Sequence, residues 1–73
     1  MADTFYAPAK AAWRQQVAEL LTQGGVTIHK LQGGAFRILA GNDLTLATDL
    51  AEIKPGEVGV MVRAQARHDA LHG

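Results

Sequence analysis

Two adjacent glycines, Gly24 and Gly25, divide this chain where its apolar residues change period. Before them, Trp13, Val17, Leu20 and Leu21 stand at i, i+4, i+7 and i+8. That spacing makes one apolar stripe along a helix. After them, Val26 and Ile28 alternate with Thr27 and His29. Period two is the signature of a strand with one buried face. A helix followed by alternating strands predicts an α+β fold, with the helix stripe covering one face of the sheet.

The glycines also punctuate the strands. Gln32-Gly33-Gly34 reads as a hairpin turn, because glycine takes positive φ at no steric cost. Phe36 and Ile38 then alternate with Arg37 and Leu39, and Gly41-Asn42-Asp43 reads as a second turn. Leu44 and Leu46 alternate with Thr45 and Ala47 in a third strand. The expectation is a three-stranded antiparallel meander. Its buried face would carry Val26, Ile28, Phe36, Ile38, Leu44 and Leu46, leaving Leu31, Leu39 and Ala47 on the other side.

The flanks are read from caps. The first helix is expected over Ala9 to Gln23, with Pro8 in its first turn and Gly24-Gly25 at its end. Residues Met1 to Ala7 read as a flexible arm, in which Phe5 and Tyr6 could staple onto that helix. Asp49 with Glu52 fits a capping box for a short helical turn ended by Pro55. The last segment carries two periods at once. Val58, Val60 and Val62 alternate like a strand, while Val58, Met61, Val62 and Gln65 fit a helix. Helix formers from Ala64 to Ala70 favour a helix from about Glu57 to Leu71, in the overall order α-β-β-β-α.

A chain of 73 residues holds one small domain with a thin core. It has no cysteine, which excludes disulfides and thiolate zinc sites. Such domains often gain stability by oligomerising, and a homo-oligomer is expected. No basic segment followed by an apolar one opens the chain, and no run approaches the ~20 apolar residues of a membrane span. No membrane association and a cytoplasmic location are the corresponding expectations.

The chemistry is sparse. There is no serine and no cysteine, so Ser-His and Cys-His nucleophiles are absent. The glycine pairs match neither G-x-G-x-x-G nor the P-loop pattern, and no cofactor is expected. His68 and His72 share a helix face at i, i+4, but a metal site needs three or four ligands. Asp49 and Glu52 are accounted for by capping, so no carboxylate pair is left for catalysis. The expectation is a non-enzyme.

Binding is the remaining class. Seven basic residues balance seven acids, yet no acid lies between Glu19 and Asp43, where Lys30 and Arg37 stand with His29. A basic hairpin of that kind could touch nucleic acid, but neither a helix-turn-helix nor the aromatic signature of an RNA-binding sheet accompanies it. The favoured reading is a small protein-interaction module that docks onto a protein partner and onto copies of itself. Trp13, Met61 and Val62 on helices, with His29, Lys30 and Arg37 on the hairpin, are its candidate partner-binding residues.

Overall fold

The computed structural model describes residues 2–72, with side chains described from Ala9 onward. Helix α1 (Ala2–Gln23) leads into strands β1 (Thr27–Lys30), β2 (Phe36–Ala40) and β3 (Asp43–Ala47). A single 3₁₀ turn (Leu50–Glu52) and helix α2 (Pro55–His72) complete the order α-β-β-β-α. The sheet is antiparallel with spatial order β1-β2-β3, so it is the expected meander.

Helix α1 is longer than its stripe. It runs back through the segment read as an arm, and Pro8 stands inside it rather than in its first turn. Alanines at 2, 7, 9, 11 and 12 supply the helix propensity there. Val17 and Leu21 are fully buried and Trp13 and Ala18 pack beside them, while Leu20 falls at the exposed rim. The helix ends in a Schellman motif. Gly25 has φ 80°, Val26 N–H donates to the Leu21 carbonyl at 2.9 Å, and Gly25 N–H donates to that of Thr22 at 3.0 Å. Val26 and Leu21, the residues that this motif brings together, both lie in the core.

The turn between β2 and β3 decides the faces of the sheet. Ala40 pairs with Asp43, so only Gly41 and Asn42 lie between the strands. Gly41 has φ 63° and no non-glycine residue among those described has positive φ, which fits a two-residue hairpin with glycine first. With that register Ile38 faces Thr45 and Phe36 faces Ala47, whereas Leu39 faces Leu44 and Arg37 faces Leu46. The expected core positions of Leu44 and Leu46 are therefore wrong by one residue. Thr45 and Ala47 share the inner face with Ile28, Phe36, Ile38 and Ala40. Leu44 and Leu46 point outward at 58% and 65% exposure. A slip of one residue exchanges the faces of a whole strand.

Behind the sheet, the chain crosses to α2 through two caps. The Asp49 side chain accepts from Ala51 N–H at 2.9 Å, as an N-cap should. Glu52 does not return to Asp49, as a capping box requires, but engages the Thr48 hydroxyl instead. Pro55 opens α2 rather than merely ending the turn before it. The Glu57 carboxylate reaches back to Lys54 N–H at 3.1 Å. The ambiguous segment Val58–Val62 is helical, with Val58 and Met61 buried.

The core lies between the inner face of the sheet and the two helices. It comprises Val17, Leu21, Val26, Ile38, Ala40, Leu50, Ile53, Val58 and Met61. Leu21, Ile38 and Val17 are its largest wholly buried side chains, each contributing on the order of 1.5–3 kcal/mol. The Trp13 indole N–H donates to the Ile53 carbonyl at 2.8 Å and ties α1 to the link before α2.

At Gly41 the turn meets the backbone of α2 closely. A Cβ there would stand 2.9 Å from the Ala64 carbonyl oxygen and 3.3 Å from the His68 Cβ. Its N–H donates to the Gln65 side chain at 2.8 Å. Gly41→Ala combines positive φ with a backbone clash and should cost roughly 1–3 kcal/mol. Urea unfolding measures this, and an unchanged midpoint would mean that α2 does not seat on the turn.

Candidate functional site

The register gathers six side chains on the outer face of the sheet. Thr27, Leu39 and Leu44 form one row across β1, β2 and β3, and His29, Arg37 and Leu46 form the next. Rows two residues apart are separated by roughly 6.6 Å along a strand, and adjacent strands by roughly 4.8 Å. The Cα atoms of the face thus span roughly 10 by 7 Å. No element of the described chain covers it. Leu39 is 42% exposed, and a shallow depression of 280 Å³ lies among Thr27, His29, Arg37, Leu39 and Leu44.

Two of the residues singled out from the sequence belong to this face: His29 and Arg37 are exposed and paired directly across β1 and β2. Lys30 at the end of β1 is exposed too, but it pairs with Phe36 and so has the parity of the inner face. The other three serve the interior. Met61 is buried in the core, and Val62 packs against it where α2 meets Gly24. Trp13 is half-buried and its N–H is taken by Ile53. These three pack within the chain rather than on the outer face of the sheet. The apolar surplus expected on α2 is largely absorbed, because Val58 and Met61 face the core together.

Sequence reasoning placed Leu39 on the outer face but missed Leu44 and Leu46 there. The available signal was the length of the Gly41-Asn42 turn. A two-residue loop pairs Ala40 with Asp43, and the parity of every later β3 residue is then set.

A second depression, about 520 Å³, opens between β3 and the first half of α2. Its floor includes Ala40 and Met61, which are core residues, and Val60 at its rim is 57% exposed. Asp43, Lys54 and Glu57 around it mix both signs of charge, so it has no electrostatic preference.

At the end of α2 the rings of His68 and His72 lie 4.4 Å apart and tilted by 39°. No group of three or more His, Asp or Glu fit to hold a metal ion occurs among the described residues.

The one strong ion pair is elsewhere. Arg14 Nε and Nη2 each donate to Asp49 at 2.8 Å, a bidentate clamp between α1 and the 3₁₀ turn. Hydrogen bonding from Arg14, then from Ala51 N–H, holds the Asp49 carboxyl well below the usual carboxylate range. Both side chains are partly exposed, so the clamp is a modest contributor.

Comparison with family models, with curated proteins and with solved structures finds no match to this chain.

This geometry has two measurable outcomes. Leu44→Ser and Leu46→Ser should each leave unfolding stability within about 0.5 kcal/mol, whereas Ile38→Ala should cost about 2–5 kcal/mol. Comparable losses at all three positions would refute the register. Asp49 has a depressed folded-state pKa, so its stabilisation is complete above about pH 4 and declines as pH falls through the lower folded value. Asp49→Asn should lower stability near neutral pH by about 1 kcal/mol and flatten the acid limb. An acid limb identical to that of the parent would show that another carboxylate governs it.

Proposed function

We propose that this chain is a small non-catalytic interaction module that docks onto a protein partner through the outer face of its sheet. The observation that carries the reading is the set of solvent-facing leucines, Leu39, Leu44 and Leu46, around exposed Arg37. Exposed leucines scattered singly are ordinary. Three on one uncovered sheet face form a clustered apolar patch, beside an arginine, a residue type enriched at binding hot spots.

Self-association is the second element of the reading. The chain exposes 5243 Å². That is roughly a fifth more than the ~4,400 Å² typical of a folded monomer of its mass. Part of this excess belongs to α1, whose residues 9–12 are all exposed. The leucine face is small by interface standards, so pairing of copies through it should be weak and concentration-dependent. A partner would compete for the same leucines.

The nucleic-acid reading keeps the exposed cations Lys30 and Arg37. It gains nothing from three leucines, which have no counterpart on a phosphate backbone.

The test is affinity capture from a lysate of the source, treated with nuclease, with the parent chain and the Leu44→Ser/Leu46→Ser variant side by side. A protein retained by the parent and lost by the folded variant supports the reading. Equal retention by both would remove the sheet face from function. Retention that disappears with nuclease would move the site to Lys30 and Arg37.

A further inference from the structure

The formal charge of this chain is zero, but its acids and bases are bonded within the chain to different extents. Nearly every acid with a described side chain is already engaged. Asp49 is clamped by Arg14, and Glu57 caps Lys54 N–H. Glu52 holds the Thr48 hydroxyl, while Asp69 and Glu19 accept from Gln65 and Gln15. Only Asp43 makes no such bond. Among the basic residues the pattern is reversed. Arg14 is the only Lys or Arg in an ion pair among the described residues.

Arg37 is the free cation with the most specific setting. It stands between His29 and Leu46 in its row, with Leu39 and Leu44 in the next. A guanidinium beside apolar side chains binds a carboxylate more strongly than one in open water, because an arriving apolar group excludes solvent from the pair. Its planar fork also favours bidentate contact with a carboxylate.

We infer that the sheet face binds a protein segment presenting a carboxylate flanked by apolar side chains, with Arg37 receiving the carboxylate and Leu39, Leu44 and Leu46 receiving the apolar groups. This rests on the proposed docking role of the face and names its partner chemistry. A second copy pairing face to face fits less well, since the six residues of the face include no Asp or Glu to meet Arg37. Nucleic acid also fits less well, since Arg37 is the only Lys or Arg on the face and leucines surround it.

The probe is a capped pentapeptide alternating leucine and glutamate, titrated into ¹⁵N-labelled protein and followed by NMR. Perturbations should concentrate at Thr27, His29, Arg37, Leu39, Leu44 and Leu46. Affinity should fall about tenfold or more when glutamine replaces glutamate, and again for Arg37→Glu with the original peptide. Arg37→Glu should instead accept a leucine-lysine peptide, a gain that loss of folding cannot produce. Equal binding of the glutamine peptide would overturn the inference. So would tighter binding of a duplex oligonucleotide at this face, or its occupation by self-association in a dilution series. If no peptide binds while the Leu44→Ser/Leu46→Ser variant still loses captured protein, this inference falls and the docking role of the face stands.

Discussion

The two-residue turn at Gly41 and Asn42 determines which side of β3 meets the core. Its shortness pairs Ala40 with Asp43 and leaves the strand no freedom to slip. From that one pairing, Thr45 and Ala47 turn inward, and Leu44 and Leu46 turn out. The inner face thereby receives small side chains at β3. The large ones come from Ile38, Val17 and Leu21, where the helices can reach them. A register shifted by one would bury two more leucines but would expose Thr45 and Ala47 in exchange. It would also need a different loop, which glycine at φ 63° does not form.

The same turn positions α2. Ala64 and His68 pass so close to Gly41 that no side chain fits between them, and Gln65 accepts the Gly41 N–H. At the other corner, Val62 lies against Gly24, where even a methyl group would stand 2.9 Å away. Both contacts are to glycine turns, one at the end of α1 and one between β2 and β3. The glycines that punctuate the strands thus also serve as seats for the last helix. Seating it buries Val58 and Met61 and leaves Val60 outside.

Much of this was legible in the sequence. The period change at Gly24-Gly25 located α1 and β1, the glycine turns located the meander, and propensity after Ala64 tipped the last segment to helix. Two things were not. Alternation in β3 reports that one face is apolar, but not which way that face points, because Leu44-Thr45-Leu46-Ala47 offers nearly apolar sets at both parities. Only the loop length breaks the tie. The helical Ala2–Ala7 was hidden for a different reason: Pro8 reads as a starting signal, while the alanines around it continue a helix through it. For the site, His29 and Arg37 were visible as types. Leu44 and Leu46 beside them were assigned to the core for want of the register.

Net charge is a poor guide to what such a surface attracts. A sum over residues treats Asp49 and Asp43 alike, although the carboxylate of one is saturated by Arg14 and Ala51 and that of the other makes no hydrogen bond within the described residues. A carboxylate bonded to a neutral donor keeps its charge, so what a partner meets is set by where the charges lie rather than by their sum. On the sheet face that charge is Arg37, which sits among leucines. Capping accounts for two of the acids, Asp49 and Glu57. They stand at the 3₁₀ turn and at the start of α2, where carboxylates satisfy backbone N–H groups and favour the helix dipole. Arg14 shares that work through its clamp on Asp49, and among the described residues it is the only Lys or Arg in an ion pair. The carboxylates at these caps thus hold the fold, while Arg37 on the sheet face keeps its guanidinium outside any ion pair.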